Sequence, residues 1–165
     1  MNKPITVMLD QNLAEASTTA RRFIAYRLRS EREVARRLSK KFEAATIEAT
    51  IAQMYRENLL DDTRFAQSFT DSRAGSRPKS SAKIRQELQS KGVSREIATA
   101  VTADLSDYES ALAAARKKTR SISRNTESVF AKKLSNHLAQ RGFNYDISNK
   151  IVELLCREIY SPGER

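Results

Sequence analysis

Few side chains in this sequence could carry covalent chemistry. Asp61 and Asp62 form a carboxylate pair, the type of group that general acid–base catalysis uses. Neighbouring residues on a helix point in different directions, however, so the pair better suits a helix N-terminus, where aspartate accepts from orphan backbone N–H groups. His137 and Cys156 are the single histidine and single cysteine of the chain. One thiol forms no intramolecular disulfide, and the two residues together fall short of a zinc ligand set. Cys156 lies among Ile151, Leu155 and Ile159 at helical spacing and reads as a packed structural thiol. His137 reads as a surface or hydrogen-bonded structural histidine. No Gly-rich phosphate loop or nucleophile motif is present. These residues predict a protein that binds rather than catalyses, with no metal, cofactor or small-molecule substrate.

The chemistry that remains is cationic. The chain carries a net charge of +10 and a pI near 10.0, which predicts attraction to polyanions such as nucleic acid, acidic protein surfaces or anionic membrane. The bases are grouped: 20–41 holds nine against two acids, 73–91 six against one and 116–133 seven against one. In the first block stand Arg27, Arg29, Arg32, Arg36, Arg37 and Lys40; in the second, Arg73, Arg77, Lys79, Lys83, Arg85 and Lys91. The third has Arg116, Lys117, Lys118, Arg120 and Arg124, followed by Lys132 and Lys133. Charge that serves only solubility mixes signs, whereas these blocks alternate with acidic segments, so a ligand-facing basic stripe is expected. Glu33 and Arg37, four residues apart, are expected to pair on a helix surface. Aromatic stacking on bases is weakly signalled, since there is no tryptophan and only Tyr26, Tyr55, Tyr108, Tyr145 and Tyr160 fall outside core-like spacing.

What positions these blocks is an internal repeat with a spacing of 50 residues. Val34, Ile84 and Leu134 correspond, as do Leu38, Leu88 and Leu138, then Ile47, Ile97 and Ile147, then Ile51, Val101 and Ile151. Lys41, Lys91 and Arg141 stand at one further register, each near a helix end where a cation opposes the negative pole of the helix dipole. Gly92 and Gly142 follow as helix-ending glycines, while the first copy has Phe42 in that place. Within each copy the apolar residues recur at intervals of three and four, which predicts two helices joined by a short turn. A further helix precedes each pair, marked by Phe23, Ile24 and Leu28, by Phe65, Ala66 and Phe69, and by Ala111, Leu112 and Ala115. Ser30 with Glu33 and Ser106 with Glu109 form capping boxes, and Asp61-Asp62 is placed to cap the helix carrying Phe65. The expected fold is all-α: three tandem three-helix repeats in an elongated, curved array, since such units bury a core only by stacking. The expected divisions are an N-terminal arm or helical extension at 1–19, repeats at 20–58, 59–105 and 106–160, and a tail at 161–165. No apolar run reaches the roughly 18–20 residues of a membrane span, and no signal peptide is visible, so a cytoplasmic protein is expected.

Several of these residues read together as a pattern: Arg29-Ser30-Glu31; Leu59-Leu60-Asp61-Asp62 with Arg64-Phe65-Ala66; Ser72-Arg73; Lys83-Ile84-Arg85-Gln86-Glu87-Leu88 with Lys91-Gly92-Val93; and Arg141-Gly142-Phe143. The pattern resembles the RecX family of recombination regulators, over residues 20–155 and most specifically over 59–93. Two departures are local: Lys41-Phe42 replaces a basic-Gly pair, and Ser76-Arg77-Pro78-Lys79-Ser80 lacks the Tyr-Gly-Pro link typical of the family. The resemblance implies three tandem three-helix repeats that lie in the groove of the RecA filament on DNA. It further implies suppression of filament growth, ATPase activity and strand exchange. The partners it implies are the RecA filament and single- and double-stranded DNA through the phosphate backbone. The competing expectation is a helical repeat protein that binds nucleic acid non-specifically and independently of RecA.

Overall fold

The computed structural model describes residues 3–122 and 125–161, with side chains from residue 11 onward. Among the described residues the regular structure is helical: α1 (Lys3–Tyr26), α2 (Glu31–Leu38), α3 (Ala44–Arg56), α4 (Asp62–Gly75), α5 (Ser81–Ser90), α6 (Arg95–Ala100), α7 (Asp107–Ile122), α8 (Glu127–Gln140) and α9 (Tyr145–Tyr160). These are three consecutive sets of three. The 50-residue register holds in space: Val34, Leu38, Ile84, Leu88, Leu134 and Leu138 are all fully buried. Ile47, Ile97 and Ile147 are half-buried, and of the last triple only Ile151 is fully covered.

The chain divides into two compact units, Met1–Ser68 with Leu88–Ala98, and Phe69–Glu87 with Thr99–Arg165. In the first, α1 packs on α2 and α3 around Ala16, Ala20, Ile24, Val34, Leu38, Met54 and Leu60. α1 takes in most of the 1–19 segment, and its small residues at 16, 17 and 20 are buried, with the Ser17 hydroxyl donating to Gln53 Oε1 at 2.6 Å. In the second, α7, α8 and α9 enclose Ala111, Ala115, Phe130, Leu134, Leu138, Ile151 and Leu155. Cys156 is buried there beside Ile159 and is a free thiol, and burial pushes its pKa up.

Three helix ends share one chemistry. After α3, Asn58 adopts φ 55°; after α5, Gly92 adopts φ 93°; after α8, Gly142 adopts φ 84°. In each, the next residue donates its N–H back five residues, from Leu59 to Met54 O, Val93 to Leu88 O and Phe143 to Leu138 O, which satisfies carbonyls the helix leaves open. α2 ends differently. Its Phe42 N–H donates to Leu38 O with no left-handed residue, and the Phe42 ring packs on the first unit's core.

The middle helix of one repeat is held by the next repeat in the same way at two places. Ser30 caps α2 in a complete capping box with Glu33, and its hydroxyl also donates to Lys91 O at 2.7 Å. The Glu31 N–H donates to Asp62 Oδ1 at 2.8 Å. At the second place, Ser80 Oγ accepts from Lys83 N–H, Ser80 N–H donates to Arg141 O at 3.1 Å and Ser81 N–H donates to Asp107 Oδ1 at 2.7 Å. The glycines sit in these clasps. A Cβ on Gly92 would lie 2.4 Å from Arg32 Cβ, and one on Gly142 would lie 2.7 Å from Ser80 Oγ and 2.8 Å from Lys83 Cβ. Asp61 and Asp62 therefore divide the capping work: Asp61 accepts from Arg64 N–H in its own helix, while Asp62 caps α2. Ser106 accepts from Glu109 N–H at 3.2 Å, as expected of an N-cap.

The register that places Ser30 and Ser80 places Phe130 in the third repeat. There α8 begins one turn earlier, at Glu127, and Phe130 is fully buried with its ring 5.6 Å from that of Tyr160 in an edge-on contact. Tyr160 closes this corner by donating its hydroxyl to Asn125 O at 2.7 Å.

Candidate binding surface

The three basic blocks have different fates. In the first, α2 buries Val34 and Leu38 and turns Arg32, Arg36 and Arg37 outward, with Lys40 one turn beyond. Arg32, Arg36 and Lys40 follow at intervals of four, which aligns them as one ridge. All four are exposed and none has a carboxylate within ion-pair distance among the described residues. The two bases of the preceding link are engaged internally. Arg27 binds Glu33 through both guanidinium nitrogens, at 3.0 and 3.1 Å, and Arg29 lies 3.9 Å over the Phe23 ring while donating to Phe23 O. The expected Glu33–Arg37 pair does not form. Glu33 faces the link rather than the outer side of α2, where Arg27 and Lys91, the latter at 3.6 Å, take its carboxylate. Burial works to raise the Glu33 pKa, but the Arg27 hydrogen bond and the charges of Arg27 and Lys91 overcome it, and the carboxyl is held below its ordinary range.

The second block is largely structural. Arg73 and Lys79 converge on the Glu87 carboxylate, and Arg73 also lies 4.7 Å over the Phe69 ring. Lys83 donates to Gln86, and Arg85 donates to the buried Thr102 hydroxyl at 3.1 Å. Lys91 is drawn to Glu33. Only Arg77 of this block is exposed with no ion-pair partner among the described residues.

In the third block Lys117 donates to Ser76 O, and Arg116 stands 3.8 Å from Glu158. Arg120 and Lys132 are exposed, and Lys133 donates only to the neutral Asn125 side chain. Arg124 lies outside the described residues. Lys118 is half-buried beside a cleft of about 470 Å³ between α7 and α8, lined also by Ser121, Ile122, Lys133, Asn136, His137 and Gln140. His137 Nε2 accepts from Arg141 Nε at 2.9 Å, so the imidazole is neutral. Burial, then the charges of Arg141 and Lys118, lower its pKa. His137 is therefore a hydrogen-bonded histidine, but in a cationic cleft rather than among structural carboxylates. Counting charge along the chain gave Arg141 only a helix-end role; its contact with His137 and its donation to Pro78 O emerge from the fold. Tyr26, at the end of α1, is 86% exposed and stands in sequence beside Arg27.

This arrangement matches known proteins along nearly its whole length. Three family models fit in tandem: the first three-helix domain of RecX at residues 16–54, the second at 61–101 and the third at 106–152. The chain belongs to the RecX family. It is 35% identical over 152 residues to the regulatory protein RecX of Chlorobium phaeobacteroides (strain BS1), covering 90% of this chain and 96% of that one. The regulatory protein RecX of Prosthecochloris aestuarii (strain DSM 271 / SK 413) is 33% identical, over 90% of this chain and 99% of its own. In structure, the RecX of Lactobacillus salivarius aligns with TM-score 0.74 at 23% identity, over 88% of this chain and 97% of that one. A second crystal structure of a regulatory protein RecX aligns with TM-score 0.78 at 20% identity, over 93% and 79%. The helices and their order are thus those of RecX proteins. Each domain match begins within or just before the first helix of a set and ends in the third or one residue past it, the unit that the 50-residue spacing predicts. No described helix is long and apolar enough to cross a membrane.

Proposed function

We propose that this chain regulates the RecA recombinase by binding the RecA–DNA filament, suppressing its growth, ATP hydrolysis and strand exchange. The observation that carries the reading is the tandem of three RecX domains across residues 16–152, joined to a ridge of unpaired bases on α2. A filament is a repeating surface, so a protein built of repeats can engage it at several modest contacts and gain avidity from their linkage. In this reading the bases with no internal acid partner meet the filament's acidic surface or the DNA backbone, and the chain acts by binding, in the cytoplasm, without catalysis of its own.

The deciding experiment is RecA-dependent ATP hydrolysis on single-stranded DNA at moderate salt, with this protein added at substoichiometric and then equimolar amounts. Strong loss at substoichiometric amounts is expected. No loss at any ratio, with RecA still covering the DNA, overturns the reading and leaves a RecA-independent nucleic-acid-binding protein. That alternative predicts binding to bare DNA as tight as to filaments, weakening log-linearly with salt. Replacing both Arg36 and Arg37 by Glu is expected to weaken inhibition with helix content unchanged, because neither residue is buried or paired. Undiminished inhibition by that variant would remove the α2 ridge from the interface.

A further inference from the structure

We infer that the cleft between α7 and α8 is a phosphate-binding site that takes the backbone of a nucleic-acid strand, with Lys118 and Lys133 as its cationic donors, Asn136 and Gln140 as its neutral ones, and the neutral His137 held at its edge by Arg141. It rests on the reading that nucleic acid is one of this protein's ligands, and it assigns the site. Three observations converge. The cleft lining contains no carboxylate, and neither Lys118, Lys133 nor Arg141 has an acid within ion-pair distance among the described residues. The second block, by contrast, sets Arg73 and Lys79 on Glu87. The lining residues project from one face of each helix: 118, 121 and 122 on α7 are three and four apart, as are 133, 136, 137 and 140 on α8. Finally, the cleft has no aromatic or methionine in its lining, and Ile122 is its one apolar wall. A protein partner that seats by burying an anchor residue finds nothing to grip, whereas a phosphodiester needs only convergent N–H and ammonium groups and gains by releasing counterions. Lysine is a point-charge phosphate ligand, and the guanidinium of Arg141 holds His137 in place at the rim.

The lone histidine makes the site directly observable, because the Hε1 proton of its imidazole gives one resonance that no other histidine overlaps. Its pKa, held low in the free protein by burial and by the charges of Arg141 and Lys118, should rise when a phosphate enters and offsets those charges. The experiment follows the His137 resonance of the whole chain against pH, alone and with a short oligothymidylate, inorganic phosphate or a glutamate-rich peptide at matched concentration. Oligonucleotide affinity is measured in parallel against salt for the parent and for the chain with Lys118→Glu and Lys133→Glu together. The expected result is an upward shift of the His137 pKa with the oligonucleotide that exceeds the shift with either other probe. Weaker binding by the double variant is also expected, with a slope of log affinity against log salt shallower by about 1.4, from two lost contacts at about 0.7 each on a single strand. A His137 resonance unmoved at saturating oligonucleotide, or a double variant with parental affinity and slope, overturns the inference and leaves the DNA reading standing. Inorganic phosphate matching the oligonucleotide overturns the backbone assignment in favour of a free-anion site. The peptide moving His137 when the oligonucleotide does not overturns it in favour of an acidic protein. Failure of the parent chain to bind the oligonucleotide overturns both the inference and the DNA half of the proposed function.

Discussion

The two clasps between successive repeats and the two unclasped ends use the same positions with opposite chemistry. At the clasps a serine caps one middle helix and a glycine ends the next, Ser30 with Gly92 and Ser80 with Gly142, and side chains of the neighbouring repeat leave no room for a Cβ on the glycine. At the two other positions of these registers the small residue is replaced by phenylalanine: Phe42 in the glycine register and Phe130 in the serine register. Each ring turns inward onto the core of its own unit. The difference teaches that the glycines serve a close approach as well as a turn. The first repeat ends its middle helix without one, and there the Phe42 ring packs on the core of its own unit instead.

The largest test of this comparison is Phe130→Ser, which gives the third repeat the residue of the other two. Since Phe130 is fully buried against Tyr160, the change is expected to cost about 3–5 kcal/mol in denaturant unfolding. A cost below that range would mean that the serine register can be restored at an open end. Next comes Gly92→Ala, which meets both a left-handed backbone and Arg32 Cβ at 2.4 Å. Strain and overpacking together predict a loss of about 2–4 kcal/mol. Gly75→Ala is the control: at this last residue of α4 nothing lies within 4 Å of the Cβ position, so alanine there should stabilise by about 0.4–1 kcal/mol through the unfolded chain. Equal midpoint shifts for the two would undo the close-approach account of Gly92. A smaller effect separates the two clasps. Ser30→Ala removes both a cap and the bond to Lys91 O, for about 1–2 kcal/mol, and should exceed Ser80→Ala, whose contact with Arg141 O is made by the backbone and survives.

The smallest effect distinguishes the two carboxylates of the first clasp by pH. Burial, and then the nearby charges of Glu31, Asp61 and Glu33, raise the pKa of Asp62 against the lowering hydrogen bond from Glu31 N–H. Glu33 is shifted the other way. A raised acid contributes stability that is lost as pH rises through its folded value, and a lowered acid contributes stability that is lost as pH falls through its own. As pH rises past the ordinary values of 3.8 and 4.5, Asp62→Asn should therefore gain stability relative to the parent and Glu33→Gln should lose it. Unfolding midpoints across that range that move in the same direction would contradict the opposed shifts.

The fold was legible because its determinants are local and periodic. The six residues of the first two aliphatic triples are all buried, and Ser30, Asp61 and Ser106 cap the helices that their spacing predicts. The site was legible only in part, because charge counted along a chain does not reveal which bases meet an acid in space. Glu87 lies 14 residues from Arg73 and eight from Lys79 in sequence, so their convergence depends on the turn between α4 and α5. Glu33 likewise looked paired with Arg37 by helical spacing, while the link before α2 bends Arg27 onto it instead. The second block thus lost most of its apparent stripe to internal bonds. The α7–α8 cleft drew in His137, with Arg141 bonded behind it, neither of which any block contained. The role of Asp62 was half visible: capping could be inferred, but the helix it caps lies in the preceding repeat.

The placement of the two phenylalanines bears on how this chain could grow. Only the second repeat carries both small residues, Ser80 to receive a follower and Gly92 to accept a predecessor. A tandem copy of that repeat inserted behind itself would find a matching partner on each side. A copy added before the first repeat or after the third would meet a ring where it needs a hydrogen atom or a hydroxyl. The middle repeat is in this sense the one whose sequence suits tandem duplication, because it alone supplies both halves of a clasp.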